Sequence, residues 1–220
     1  MLISGRGSNL AALLAAAADP GYPAEIALVL ANRGDATGLD HARAAGIPAE
    51  VVESRRWGHD RSGFEQAVEA ALARHAIGLV ALAGFLRVLT PGFVARWEGR
   101  LLNIHPSLLP AFPGLHTHER ALAAGVRLHG ATVHLVGAEV DQGPILAQAA
   151  VPVLPGDTPA TLAARVLEQE HRLYPAALAW LAAGRVSLVG GRAEVSGAAA
   201  PAAALLNPLP AAAALPTNLP

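Results

Sequence analysis

Apolar positions along the chain fall into two kinds of stretch: short runs or alternations, and longer segments with apolar residues three and four apart. The first kind predicts strands and the second helices. Leu2-Ile3-Ser4 reads as the end of a short strand, Gly5-Arg6-Gly7-Ser8-Asn9 as a tight turn, and Leu10 to Ala18 as a helix. Strands over Glu25–Ala31 and Ile47–Val52 flank a helix over Thr37–Ala45, which Gly46 closes. Ser54 to Asp60 is polar and irregular. Gly63 to His75 has an apolar face through Phe64, Val68, Ala71 and Leu72. Gly78 to Ala83 is continuously apolar, as in a strand covered on both faces. After the loop Gly84–Leu89, Thr90-Pro91 opens a short helix, and Arg100 to His105 is the next strand.

This alternation predicts an α/β fold: a Rossmann-like, mostly parallel sheet with helices on both faces. The pattern then changes. Thr117 caps a short helix ending at Gly125, and His129–Val136 and Pro144–Val153 read as two strands, the second antiparallel to the first. They form an antiparallel C-terminal extension around the loop Gly137–Gly143, which holds Glu139 and Asp141. Asp157-Thr158-Pro159 starts the longest helix, running to about Gly184 with a kink expected at Pro175. On it Glu170 falls at the edge of the stripe Leu162, Val166, Leu173, where a solvated carboxylate is the simpler expectation. Val186 to Val195 reads as a hairpin turning at Gly190-Gly191. Residues 1–196 thus form one domain, and 197–220, almost only Ala, Pro and Leu, a disordered tail.

Composition narrows the chemistry. The net charge is −1 and charged residues are few, so no basic stripe suggests nucleic acid. Cysteine and lysine are both absent, which excludes disulfides, thiol nucleophiles, a lysine Schiff base and a P-loop ending in Gly-Lys. No apolar run reaches the ~18 residues that span a bilayer. Residues 10–18 have the length of a signal-peptide core, but no cationic cluster precedes them, and a helix opening after a turn fits better.

Ligands of such sheets bind beyond the carboxyl ends of the strands. The Gly5–Asn9 turn, the Gly84–Leu89 loop, Asn103 and His105 all lie at that edge. Strand, Gly-rich turn and helix N-terminus read as an anion site or as a mere turn capped by Ser8 or Asn9, and Leu10 in place of a third small residue favours a monophosphate over a dinucleotide. Asn103 and His105 share one face of their strand just before a loop carrying Pro106, Pro110 and Pro113. They read either as a buried pair satisfying loop carbonyls or as chemistry placed where a strand ends. His105, His116, His118, His129 and His134 invite a zinc site, but neither a His-Glu-x-x-His helix nor any cysteine accompanies them. A serine hydrolase lacks its Gly-x-Ser-x-Gly elbow.

Several blocks together resemble the folate-dependent phosphoribosylglycinamide formyltransferase family. They are Ile3-Ser4-Gly5-Arg6-Gly7-Ser8-Asn9-Leu10, Leu82 to Leu89, Asn103 to Pro110, Phe112 to His118, Asp141-Gln142-Gly143-Pro144 and Gln169 to Pro175. They keep the family's order and spacing to about residue 190. The resemblance implies a cytoplasmic enzyme that moves the formyl group of 10-formyltetrahydrofolate, without a metal, to the amine of glycinamide ribonucleotide. It implies that Asn103 stabilises the developing oxyanion, that His105 moves the proton, and that Asp141 tunes and orients the histidine. Gly7, Ser8 and Asn9 would hold the phosphate and Glu170 the glycinamide end. Arg61 would pair with the folate tail, Leu86, Arg87, Val88 and Leu89 would wall the pterin, and His116 and His134 would support the site. The halves would then be nucleotide-binding (about 1–100) and folate-binding and catalytic (about 101–196).

The resemblance also implies small-molecule partners only, with neither nucleic acid nor membrane, and leaves monomer or homodimer open. It places Met1 several residues into the family's usual first strand, implying a shortened central strand or a start further upstream. A formyltetrahydrofolate hydrolase is the alternative enzyme. A phosphate-binding module without turnover is the non-enzyme alternative, which Asn103, His105 and Asp141 together argue against.

Overall fold

The structure, a computed structural model, describes residues 1–199, 205 and 207, so most of the expected 197–220 tail lies outside the described residues. A seven-stranded sheet has the order β3-β2-β1-β4-β5-β6-β7. Its strands are β1 (Leu2–Ile3), β2 (Val29–Ala31), β3 (Ala49–Val51), β4 (Val80–Ala83), β5 (Leu101–His105), β6 (Leu128–Leu135) and β7 (Ile145–Pro152). The first five are mutually parallel, while β6 runs antiparallel to β5, and β7 to β6. The α/β class and the antiparallel extension match the sequence expectation. A hairpin, β8 (Val186–Val189) and β9 (Arg192–Val195), follows, with Gly190 and Gly191 at positive φ in its turn.

The helices are α1 (Ser8–Ala17), α2 (Gly38–Ala44), α3 (Arg61–Arg74), α4 (Pro91–Arg96), α5 (Thr117–Ala123) and α6 (Pro159–Ala182). Strand alternation sends successive side chains to opposite faces, and two cores result. Met1 and Ile3 join Leu10, Leu13, Leu39, Tyr174 and Leu178 beneath α1, α2 and α6. Leu2 joins Phe64, Val68, Leu72 and Phe93 beneath α3 and α4. Each such fully buried side chain contributes about 1.5–3 kcal/mol by leaving water.

Two expectations shift. The Glu25–Ala31 strand pairs only from Val29: Leu30 and Ala31 face Leu2 and Ile3 of β1, and Val29 faces Ala49 of β3. The irregular stretch after β3 holds a 3-10 turn, Ser54–Trp57. As expected, helix α6 runs on past Pro175, whose carbonyl accepts from the Tyr22 hydroxyl at 2.7 Å. Among the described residues no helix is long and apolar enough to cross a membrane.

Candidate active site

The antiparallel register of β5 and β6 sets His134 directly opposite Asn103, and Thr132 opposite His105. Asn103 Nδ2 lies 3.1 Å from His134 Nε2, and His134 Nδ1 lies 2.9 Å from the Leu135 carbonyl oxygen. A carbonyl only accepts, so Nδ1 carries the proton and Nε2 of the neutral ring accepts from Asn103. Burial lowers the His134 pKa, which keeps that tautomer at neutral pH. The Asn103 amide is thereby fixed, with a second N–H left to donate.

His105 is buried, and each ring nitrogen faces an oxygen: Nε2 is 3.0 Å from the Phe112 carbonyl and Nδ1 is 3.4 Å from Asp141 Oδ2. Asp141 sits at φ 57 on the loop after β6, its side chain only 10% exposed. It accepts the Gly114 N–H at 2.8 Å, and its other oxygen is 3.9 Å from His134 Nε2. One carboxylate thus lies beside His105 and holds the proline loop through the Gly114 N–H, with the neutral His134 ring at a distance behind it. Two residues on, Gly143 packs so closely on the end of β6 that an added Cβ would lie 1.7 Å from the Leu135 carbonyl oxygen. The proline loop is fixed from below: the Thr132 hydroxyl donates to the Ser107 carbonyl at 2.7 Å and accepts from the Leu109 N–H at 3.0 Å.

At the end of β1, Gly7 is the N-cap of α1 with φ 75, and no side chain caps the helix. Its first-turn N–H groups therefore point into the edge with the positive end of the helix dipole behind them. A Cβ at Gly7 would lie 2.9 Å from Gly38 Cα, so this turn is built on close backbone approach. The side chain of Asn9, instead of capping, donates to Glu170 Oε2 at 2.7 Å. Glu170 is 6% exposed, which overturns the solvated carboxylate expected for it. Desolvation raises its pKa, with the Asn9 hydrogen bond opposing. A signal was present: Leu162, Val166, Glu170, Tyr174 and Leu178 follow at strict spacing of four, and all are buried.

A third feature is a cavity of about 330 Å³ lined by Gly58, His59, Arg61, Leu86, Arg87 and Val88. Leu86 and Val88 are exposed, but Leu89 turns into the core beneath α3. The Arg87 guanidinium lies over the Phe64 ring, 5.5 Å from its centroid. Arg61 Nη2 donates to the Val88 carbonyl at 2.5 Å. His116 is not brought into the Asn103–Asp141 cluster; its ring is exposed, 3.8 Å from Glu119. Among the described residues no three His, Asp or Glu side chains are grouped to hold a metal ion.

The formyl transferase family model matches residues 1–178. The chain belongs to the formyl transferase family. Its sequence is 43% identical over 197 residues to phosphoribosylglycinamide formyltransferase of Escherichia coli (strain K12), covering 90% of this chain and 92% of that one. It is 49% identical over 188 residues to the trifunctional purine biosynthetic protein adenosine-3 of Gallus gallus. That match takes in 86% of this chain but 19% of the relative, so the chain spans about a fifth of that protein's length. The crystal structure of glycinamide ribonucleotide transformylase 1 from Symbiobacterium toebii superposes with a TM-score of 0.85 at 44% identity, covering 88% of this chain and 91% of that one. In this formyl transferase an amide donor, an imidazole and a carboxylate lie at the end of β5, groups able to stabilise an oxyanion and to move a proton. Sequence reasoning missed the Phe112 carbonyl that faces His105, because a backbone oxygen leaves no mark in the residue type.

Proposed function

We propose that this formyltransferase moves the formyl group of 10-formyltetrahydrofolate to the amino group of glycinamide ribonucleotide, a step of purine biosynthesis. The observation carrying the proposal is that the Asn103–His105–Asp141 cluster shares the carboxyl edge of the sheet with the α1 N-terminus and with the Leu86–Val88 cavity. The first suits a phosphate, through N–H groups of Gly7, Ser8 and Asn9. The buried Glu170 carboxylate beside Asn9 suits an amine or amide. The cavity suits the flat pterin against Leu86, Arg87 and Val88, with Leu89 supporting from the core and Arg61 toward the folate tail. The names of the relatives point the same way.

The amine nitrogen attacks the formyl carbon, and the carbonyl electron pair moves onto oxygen. Asn103 donates its free N–H to that oxygen. His105, oriented by Asp141, takes the proton from the attacking amine and returns one to the folate nitrogen as the carbon–nitrogen bond to the donor breaks. His105 can do this once the Phe112 carbonyl yields Nε2. His134 acts through Asn103, and His116 only from the loop above. Each substrate draws on both halves of the chain: Glu170 reaches back to the phosphate turn, and the Leu86–Val88 wall comes from the half that binds the nucleotide.

The test is release of deformylated folate with and without added glycinamide ribonucleotide, in wild type and in His105→Ala. The expected result is ribonucleotide-dependent turnover that falls in the variant by about a thousandfold or more, the worth of a general acid/base together with its orientation. Folate release independent of the ribonucleotide would instead identify a hydrolase, and a fully active variant would remove His105 from the mechanism.

A further inference from the structure

The loop Gly84–Leu89 forms the outer wall of the 330 Å³ cavity, and it is held at two points of its own and at Thr90 just past its end. Arg61 holds the Val88 carbonyl. Glu65, 3% exposed, accepts the Thr90 N–H at 2.6 Å and also the Thr90 hydroxyl. Both of these anchors come from α3. The third differs: the hydroxyl of Ser4, 4% exposed, accepts the Leu86 N–H at 2.8 Å across 82 residues of sequence. Ser4 lies between β1 and Gly5, at the root of the turn that carries Gly7, Ser8 and Asn9.

We infer that Ser4 is a positioning residue that ties the Leu86–Val88 wall to the strand end bearing the phosphate turn. The inference rests on the proposed function for the identity of the two ligands. Leu86 and Val88 are 70% and 60% exposed, so little packing of their own fixes the wall, and its backbone bonds must. A hydroxyl suits the place better than a carboxylate, since it accepts the Leu86 N–H without bringing a charge into the sheet edge. A displacement of Leu86 by less than an ångström would move the wall relative to the formyl carbon.

Amide exchange at Leu86 tests the tie directly and needs no turnover. Ser4→Ala should speed Leu86 exchange by about fivefold, the worth of one ordinary hydrogen bond, and Ser4→Thr should restore the wild-type rate. In steady-state kinetics Ser4→Ala should raise KM for the formyl donor by about fivefold with kcat within about twofold, and Ser4→Thr should restore it. Unchanged Leu86 exchange in Ser4→Ala overturns the inference. So does a variant whose two KM values rise together with a lowered melting temperature, the mark of a merely structural serine. Ribonucleotide-independent turnover in wild type would strike the proposed function alone, because the exchange comparison stands without it.

Discussion

Glu170 is a buried carboxylate placed where an apolar side chain would be more stable, and Asn103 is a half-buried amide; each is held by one partner. For Glu170 the raised pKa has a definite sign: burial penalises the charged carboxylate in the folded state, so its ionisation opposes folding as pH rises. Glu170→Gln keeps an oxygen to accept from Asn9 and removes the charge. The variant should melt higher than wild type at pH 7, yet show a ribonucleotide KM raised by about tenfold or more, since a hydrogen bond to a charged group is worth about 1.5–3 kcal/mol. Thermal melts and steady-state kinetics on the same preparation check both halves, and equal KM values would remove Glu170 from substrate binding. Asn103→Ala deletes the proposed oxyanion donor and should lower kcat about 10²–10³-fold with little change in either KM. Comparable loss in KM and not kcat would show that Asn103 holds the ground state instead.

At the scale of elements, the join of β1 and α1 shows why the phosphate turn tolerates so little change. Gly7 has φ 75 and faces Gly38 Cα, so Gly7→Ala combines a left-handed backbone with a 2.9 Å contact. The cost should be about 1–2 kcal/mol from the backbone alone, measurable by urea denaturation, together with a raised ribonucleotide KM. Full stability in that variant would mean that α2 moves away freely. The order of strands and helices was legible in the sequence because apolar period and glycine punctuation are local. So was the meeting of Asn103, His105 and the two glycine-bearing loops, since parallel strands end on one edge. The Asn103–His134 pairing was not, because it depends on a cross-strand register. The burial of Glu170 was missed by taking Leu173 and not Tyr174 as the stripe. Ser4 and Glu65 look like ordinary polar residues until the fold brings residues 86 and 90 to them.

For the molecule as a whole, the least usual feature is at the opposite edge from the site. The Met1 amine is buried in the middle of the sheet, donating to the Leu28 carbonyl at 2.8 Å, and burial pushes its pKa down to about 5. Next to it lies a cavity of about 400 Å³ lined by Ala24–Leu28, Ile77–Leu79, Leu178 and Ala182. In a chain that begins at Met1, an amine depressed from 8.0 to about 5 gives stability that is complete above pH 8 and is lost as pH falls toward 5, about 4 kcal/mol in all. His129, depressed from 6.5 to about 4 by burial and by His118, has the same sign over a lower window, with about 3 kcal/mol lost between those values. Urea denaturation from pH 9 to 4 should therefore show stability falling from the mildly alkaline side. Acetylating the amine should flatten the part between pH 8 and 5 and leave the His129 part. A chain placed ahead of Met1 tests the cavity as well. Continuing the register of Leu2 with Leu30 and Leu82, three added residues would run opposite Ile26–Leu28 and Gly78–Val80. Val-Ile-Val there would replace the amine by an amide, supply ladder partners to both neighbours and fill the hollow. At pH 7 the amine alone costs about 1.4 kcal/mol, and a chain of this length melts about 2–4 °C higher per kcal/mol. With the added ladder bonds and buried side chains, the midpoint should rise by about 5 °C or more. Calorimetry of the two chains decides it: an unchanged or lower midpoint would show that the cavity does not accept a strand.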